Sequence, residues 1–325
     1  MSNIEQDLLL AVADLHQVPS GAFSLRENGS SVQVNSTANI EIVKKQEKSG
    51  IDIYVKKGTV NESIHIPVII TKSGVNDFVY NDFYIGEGAD VLIVAGCGIH
   101  NVGDEQSQHD GIHTFYLSPN SKVRYVEKHI GSGNGGEKVL NPVTNIIMES
   151  GSEMIMETVQ LGGVSASVRD TKATLYDNAK LVIKEKILTS ENQTADTNFN
   201  VVLKGENSSV DVISRSVAKD TSAQTFYSTV TGENKCFGHV ECDAILMDKA
   251  NIVATPEIMA RCVDANLVHE AAIGKIAGEQ LIKLKTLGLS DKEAEDMIIK
   301  GFLSYICSAI RLILSVVSCG VYGLL

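Results

Sequence analysis

Tryptophan is absent from this sequence and proline is scarce, with five residues. Phe, Trp and Tyr together make up only 5% of the 325 residues, whereas glycine is frequent, with 27. This balance suits short strands joined by tight turns better than a helical bundle. The shortage of aromatic rings also argues against a carbohydrate-active enzyme, because aromatic side chains form the usual platforms for sugars. The length allows one large domain or two ordinary ones.

Positive charge is also in short supply. The 28 Lys and Arg residues face 40 Asp and Glu residues, which gives a net charge of −12 at pH 7. A field of that sign repels nucleic acids and anionic membranes, so we expect neither as a partner. Residues 1–7 lack the basic region and cleavage site of a signal peptide, so we expect a cytoplasmic protein. The six cysteines are spaced too irregularly for a disulfide framework and are predicted to be reduced thiols.

The sequence lacks a nucleotide-binding motif. Its glycine-rich segment, residues 131–138, does not end in the Gly-Lys-Ser/Thr of a Walker sequence. We interpret this segment as a flexible loop. We therefore expect that this chain does not hydrolyse ATP itself, and that a partner would have to supply this activity.

Alternating strands fill most of the chain. Apolar residues recur at helical spacing from Ile4 to Leu15, which predicts a short N-terminal helix. From Ser31 the period changes to two, and short strands bounded by Gly, Asn and Ser follow for about two hundred residues. We therefore predict a mainly β protein with an N-terminal helical segment over residues 1–30.

A repeated unit indicates how these strands are arranged. Each copy has a turn residue or charge, then Ala or Ser, then an alternating apolar strand. The copies lie at Gly88–Ile93, Asn120–Tyr125, Gly151–Met156, Asn178–Ile183, Asn207–Val212 and Lys249–Ala254. Spacing of about thirty residues without intervening helices predicts a right-handed parallel β-helix over residues 31–263. The alternative, an antiparallel β-sandwich, would repeat its turns every eight to twelve residues.

Helical periodicity returns near the C-terminus. Ile273 to Leu284 predicts one helix that ends before Gly288, and the capping box Ser290-Asp291-Lys292-Glu293 begins a second helix that runs to Gly301. We assign residues 264–325 to a helical subdomain that protects the open edge of the last coil. Residues 302–325 carry one charge, Arg311, in a run otherwise dominated by Ile, Leu, Val and Ser. We favour a buried or dimer-facing helix there over a membrane span.

One short region combines a thiol, an imidazole and several carboxylates. Gly238-His239-Val240-Glu241-Cys242-Asp243 is followed by His269-Glu270-Ala271-Ala272-Ile273-Gly274-Lys275-Ile276. Taken alone, Cys242 is more often an inert buried thiol than a metal ligand, and His269 is more often structural. Thiolate, imidazole and carboxylate together nevertheless form a set that binds iron.

These motifs resemble the SufB/SufD family of scaffold proteins in iron–sulfur cluster assembly. Gly288-Leu289-Ser290 and Ile298-Ile299-Lys300-Gly301-Phe302 extend the resemblance toward the C-terminus. The compact length is similar to that of minimal systems, in which one scaffold chain works as a homodimer. The resemblance implies a β-helix and a C-terminal subdomain that docks a SufC-like ABC ATPase. It also implies a non-catalytic scaffold that assembles a transient cluster, of the 4Fe–4S type, with a sulfur donor and recipient apoproteins as further partners.

The resemblance also assigns roles to single residues. Cys242 matches the cysteine that carries the nascent cluster in SufB-like proteins, and His269 and Glu270 match the histidine and glutamate near the dimer interface. SufD-like chains generally lack the cysteine and the glutamate, so the SufB-like type is favoured over a SufD-like partner of a separate scaffold. In a regular strand His269 and Glu270 point to opposite faces, so both can bind only at a strand end or bulge. Cys236 is a candidate sulfur relay or extra ligand.

A second polar cluster lies in the middle of the chain. It contains His100, His109, Asp110, His113 and His129. Imidazole and carboxylate groups bind zinc or iron, which makes His100, His109 and His113 candidate metal ligands. The spacing fits no established metal motif, and we favour a hydrogen-bonded turn system.

Overall fold

The computed structural model of the protein describes residues 2–15 and 21–304. Three α-helices and twenty strands lie within these residues. The helices are α1 (Asn3–Ala13), α2 (Gly278–Lys285) and α3 (Asp291–Ser304). The strands are β1 (Ala22–Glu27), β2 (Ser30–Asn35), β3 (Ile40–Lys44), β4 (Gly50–Val55), β5 (Val60–Ile70), β6 (Asn76–Ile85), β7 (Asp90–His100), β8 (Ser107–Leu117), β9 (Lys122–Ser132), β10 (Lys138–Leu140), β11 (Val143–Met148), β12 (Glu153–Leu161), β13 (Ala166–Leu175), β14 (Lys180–Thr189), β15 (Thr194–Leu203), β16 (Ser209–Ala218), β17 (Ala223–Gly232), β18 (Cys236–Leu246), β19 (Asn251–Ala260) and β20 (Ala265–Gly274).

The strands form a β-solenoid of about eight turns, which confirms the predicted fold. From β5 onward the chain alternates between two sheets, with the short consecutive strands β10 and β11 both in sheet B. Sheet A has the order β2-β1-β5-β7-β9-β12-β14-β16-β18-β20, and sheet B has the order β19-β17-β15-β13-β10-β8-β6-β4-β3 with β11 also between β13 and β8. Among the described strands, only the β1–β2 and β3–β4 pairs are antiparallel. The inward-facing apolar residues of both sheets form one core that fills the bore.

Left-handed residues make the corners that lead into sheet A. The residue before each small corner residue has a positive φ, as at Asn120 (57°), Asn178 (58°) and Asn207 (56°). Asn and Gly tolerate this conformation better than other residues, which explains the turn residue in the repeated unit. The small residue then donates its N–H to the carbonyl three positions earlier, at 3.1 to 3.4 Å. These small residues are Ala89, Ser121, Ser152, Ala179 and Ser208.

The sixth predicted copy, residues 249–254, was wrong. Asn251 pairs with Ala223 in sheet B, so this segment belongs to the opposite corner of the solenoid. The register of Ser209 with Phe237 places Cys236 next in the row of small corner residues, and Cys236 in turn pairs with Ala265. The missing copy therefore has a cysteine where earlier copies have Ala or Ser.

A buried polar network interrupts the apolar core. Glu127 accepts hydrogen bonds from the Tyr125 hydroxyl (2.9 Å) and from Arg169, which also lies 3.3 Å from His129 Nδ1. His113 Nδ1 contacts the same tyrosine hydroxyl at 2.8 Å. Burial by itself would raise the pKa of Glu127, but the charge of Arg169 lowers it below its ordinary value. Burial lowers the pKa of His113 to about 4 and that of His129 to about 3, so both rings are neutral at pH 7.

Helix α1 packs against sheet A near the N-terminus of the chain. Leu8, Leu9 and Val12 are buried against Phe23, Leu25 and Ile69. The helix approaches closely because β7 carries glycine at two successive outward positions. A Cβ atom at Gly96 would lie 2.9 Å from the Val12 carbonyl oxygen, and one at Gly98 would lie 2.9 Å from Leu8 Cδ2. The predicted N-terminal helix is thus confirmed, and strands begin earlier than expected, at Ala22.

The C-terminal helices lie beside sheet A and do not cap the last coil. Ile299 and Leu303 of α3 are buried against Val217, with Leu188 and Ile245 partly buried around them. These strand residues all lie near the carboxyl ends of β14, β16 and β18. The expectation that the helices protect the open edge is therefore corrected, because β19 and β20 end their sheets among the described residues.

The predicted helix boundaries also change. The capping box is confirmed, since Glu293 N–H donates to Ser290 Oγ (3.3 Å) and Ser290 N–H donates to the Glu293 carboxylate (2.8 Å). Ile273 lies in β20 and not in a helix, so the solenoid extends beyond the predicted limit at residue 263. Most of the apolar tail, residues 305–325, lies outside the described residues. Within residues 2–15 and 21–304, no helix is long and apolar enough to cross a membrane.

Replacement of a left-handed corner residue tests the importance of the corners. Asn178→Val should lower the free energy of unfolding by about 1–2 kcal/mol, because a β-branched side chain is strained at positive φ. Urea unfolding followed by circular dichroism measures this change. Asn178→Gly is the matched control and should be nearly neutral; equal losses in both variants would contradict the explanation.

The buried ion pair gives a second prediction. Arg169→Met leaves the buried Glu127 carboxylate without its cation and should cost about 3–5 kcal/mol of stability at pH 7. Arg169 Nε also lies 3.6 Å from the buried Glu185 carboxylate, which keeps its own contacts with Thr197 and Ser214. The double variant Arg169→Met/Glu127→Gln removes the charge stranded at Glu127 and should recover part of this loss. A double variant that is less stable than Arg169→Met in urea unfolding would show that charge pairing is not the reason.

Candidate functional site

Strand register places Cys242 and His269 on neighbouring coils. In the pairing of β18 with β20, Val240 lies beside His269 and Cys242 lies beside Ala271. Because side chains alternate along a strand, Cys242 and His269 face the same way, into the bore. Their α-carbons are separated by one strand spacing and two residues along the strand, which is about 8 Å. The expectation that the two positions stack on adjacent coils is correct, with an offset of two residues.

Cys242 lies in a mostly apolar environment. Its side chain is 5% exposed and belongs to the main core together with Val240. Burial, and to a smaller extent the negative charge of Asp243, raises the pKa of the thiol to about 11. The protonated thiol is therefore the resting form in this structure, and binding of iron would require its proton to leave.

His269 has an unused ring nitrogen. Its Nε2 atom is buried and has no hydrogen-bond partner among the described residues. Burial and the charge of His239 lower the pKa of His269, whereas Glu270 opposes this effect. A neutral imidazole with a free nitrogen is the form that binds a metal ion. A buried nitrogen without a partner is also energetically costly, and a ligand would remove that cost.

Glu270 faces the other side of the sheet. The β18–β20 register is continuous, without a bulge, so Glu270 lies on the outer surface beside Glu241. The strand break that would bring His269 and Glu270 together is not present here. Asp243, also on the outer surface, has a raised pKa because of burial and the nearby carboxylate of Glu241. The geometry thus unites Cys242 with His269 and separates Glu270 from both.

Cys236 begins β18, six residues before Cys242, so three periods of the two-residue alternation separate the two thiols. It is 6% exposed, and it occupies the corner position that small residues fill in the preceding coils. Burial raises the pKa of its thiol, and the nearby Cys262 adds to this effect. A small buried side chain is what the corner requires, and this structural role competes with the predicted sulfur relay.

The predicted histidine group does not converge on one point. His100 Nδ1 lies 2.9 Å from Ser132 Oγ, and His109 Nδ1 lies 3.0 Å from the Asp77 carboxylate. Both nitrogens of His113 have protein partners, Tyr125 and Asn81. These contacts agree with a hydrogen-bonded system. Within residues 2–15 and 21–304, no three His, Cys, Asp or Glu side chains form a group that is able to hold a metal ion.

Two residues near the site were not found from the sequence. Ser214 lies beside Cys242 in the register of β16 with β18, and its hydroxyl donates to the buried Glu185 carboxylate at 2.8 Å. Arg215, the next residue, lies on the outer surface and contacts Glu241 at 3.2 Å. Only the register of the strands brings these residues to the site. An alignment of the repeats that placed Cys236 at the corner position would have predicted this register.

Comparison with known proteins now gives the site a family context. Residues 68–302 match the family model described as "SUF system FeS cluster assembly, SufBD core domain". An iron–sulfur cluster assembly SufBD family protein of Archaeoglobus fulgidus is 28% identical over 267 residues, which cover 81% of this chain and 71% of the relative.

Two further relatives carry the same family description. The protein of Pyrococcus horikoshii is 30% identical over 258 residues, 78% of this chain and 57% of its own length. The protein of Methanocaldococcus jannaschii is 24% identical over 277 residues, 84% of this chain and 87% of its own length. In several relatives, including two from Methanothermobacter, the match spans only 53 to 58% of the relative's length. The core-domain match covers most of the chain and includes both Cys242 and His269, and the chain therefore belongs to the SufBD family of iron–sulfur cluster assembly proteins.

Proposed function

We propose that this protein is a SufB-like scaffold on which an iron–sulfur cluster is assembled and then passed to recipient proteins. The observation that carries this proposal is the inward-facing pair of Cys242 and His269 on the last two strands of sheet A. Thiolate binds iron strongly, and imidazole binds it less strongly. A mixed set of this kind suits a cluster that must leave, here taken to be of the 4Fe–4S type.

A second chain completes the site. Cys242 and His269 provide two ligands, whereas a cluster of several irons is usually held by about four. Among the described residues, β20 is the last strand of sheet A. In this proposal another copy of the chain pairs with its outer edge. Edge strands present unpaired backbone groups that favour such pairing. We therefore propose a homodimer, or a pair with a second SufB/SufD-type chain, whose interface brings two such sites together.

The helical hairpin is the proposed docking surface for a SufC-like ABC ATPase. Ile282 is 63% exposed, Leu287 is 76% exposed and Met297 is 50% exposed. Three large apolar side chains exposed on one small hairpin are typical of a protein-binding surface. In this proposal the scaffold itself is non-catalytic and works in the cytoplasm, the ATPase supplies the energy, and a separate donor supplies sulfur.

Cluster reconstitution tests the ligand assignment. After anaerobic incubation with ferrous iron and sulfide, Cys242→Ala should bind a cluster about tenfold or more weakly than the original protein, and His269→Ala should also be weakened. Visible absorption and iron and sulfide content per chain measure this. Glu270→Gln should retain the cluster because its side chain faces outward. Cys97→Ala, a buried thiol in a distant coil, is the control. Undiminished cluster binding by Cys242→Ala would refute the assignment.

Substitution of exposed apolar residues of the hairpin by aspartate tests the proposed binding of the ATPase. Ile282→Asp and Met297→Asp should each weaken binding of an ABC ATPase about tenfold or more, because an exposed apolar anchor is lost and a charge must be buried. Co-purification and isothermal titration measure binding. Val32→Asp, an equally exposed apolar position on β2, is the matched control and should bind normally. Normal binding by both hairpin variants would place the ATPase elsewhere.

A further inference from the structure

Arg215 joins two parts of the molecule that have separate roles in the proposed function. It lies on the outer face of β16, and its side chain is only 15% exposed. One terminal nitrogen, Nη2, lies 3.2 Å from the Glu241 carboxylate on β18. The other, Nη1, lies 3.5 Å from the carbonyl oxygen of Phe302 in the last described turn of α3. The guanidinium also lies over the Phe302 ring, 5.5 Å from its centre.

Glu241 is the residue immediately before Cys242. Because side chains alternate, the Glu241 carboxylate is on the outer face of β18 and the Cys242 thiol is on the inner face. A displacement of the outer side chain along the strand is therefore passed to the thiol through a single peptide unit. Glu241 also lies beside Glu270 in the register of β18 with β20.

The same arginine balances a concentration of negative charge. Glu241, Asp243 and Glu270 lie close together on the outer faces of the last two strands of sheet A. Arg215 is the cation that contacts this group, with Nη2 3.2 Å from the Glu241 carboxylate. Loss of this cation would leave like charges on adjacent positions, which destabilises the pairing of the two strands.

We propose that Arg215 is a positioning residue. It links the position of helix α3 on sheet A to the position of strand β18, so that displacement of the helical hairpin changes the exposure of Cys242. The hairpin carries the exposed apolar side chains of the proposed docking surface, and Cys242 is the proposed cluster ligand. The inference thus rests on the proposed function and adds the physical connection between its two sites.

Only arginine satisfies this geometry. Its planar guanidinium presents separate nitrogens to Glu241 and to the Phe302 carbonyl while its face lies against an aromatic ring. Lysine has one ammonium group, which would retain the ion pair with Glu241 but could not span both partners in the same way. Arg215→Lys therefore separates charge balance from mechanical connection.

Alkylation of individual cysteines in the purified full chain tests the coupling. The probe is N-ethylmaleimide, and the rate at each cysteine is read by peptide mass spectrometry. Arg215→Met and Arg215→Lys should each increase the rate at Cys242 by about tenfold, the effect of a local opening that has become easier by about 1.4 kcal/mol. Cys97 should keep its original rate because it lies on β7, in a distant coil, among Val68, Ile99 and Leu140. Arg124→Met is the matched control, since Arg124 pairs with Glu157 on the outer face of the same sheet.

A double-variant comparison identifies the helix as the other end of the connection. Phe302→Leu should also increase the rate at Cys242, and Arg215→Met/Phe302→Leu should not exceed Arg215→Met alone, because both changes break one linkage. Multiplied effects, an original rate in Arg215→Lys, or an equal increase at Cys97 would each overturn the coupling. These rates report thiol exposure without a cluster or an ATPase, so they fail or succeed independently of the reconstitution that tests the proposed function.

Discussion

The in-register stacking of parallel coils is the constraint on which the rest of the structure depends. Each inward side chain has its neighbours at matching positions one coil earlier and one coil later, so the bore is filled by rows rather than by isolated contacts. The row that contains Cys242 runs through Glu127, Thr158, Glu185 and Ser214. The row continues from Cys242 to Ala271 on the last strand of sheet A. A thiol that follows several polar residues in this row is the consequence of register alone, since these residues are nearly thirty positions apart in sequence.

The same constraint explains which features of the fold could be predicted from the sequence. The corner repeat was visible because the conformation of the backbone there selects Asn, Gly and small residues, and those choices recur in the sequence. The coil length was less visible, because the interval from Cys242 to its true neighbour Ala271 is 29 residues, whereas the interval to His269 is 27. The opposite corner near residue 250 has the same small residue as the predicted repeat, and sequence alone did not separate the two corners. Register, not propensity, was the missing information.

Alternation along the strand then determines what the candidate site is able to do. His269 and Glu270 are adjacent in sequence, and a reading by residue type groups them as ligands. Continuous pairing of β18 with β20 places them on opposite faces, so the imidazole joins the thiol and the carboxylate joins an acidic outer surface. The positions of Ser214 and Arg215 follow the same rule, one facing the bore beside Cys242 and the other facing outward beside Asp243.

The placement of the helical hairpin on the outer face has a further consequence. A hairpin that capped the last coil would cover β20 and block a second chain, whereas the hairpin beside sheet A leaves that edge without a further strand within residues 2–15 and 21–304. The two proposed partners, a second scaffold chain and an ATPase, then use different surfaces and are able to bind at the same time. β18 contacts Arg215 through Glu241 on its outer face and pairs with β20 along its edge, so it lies between these two surfaces. Coupling between the two proposed partners therefore needs a change only in β18 and β20, the last two strands of sheet A.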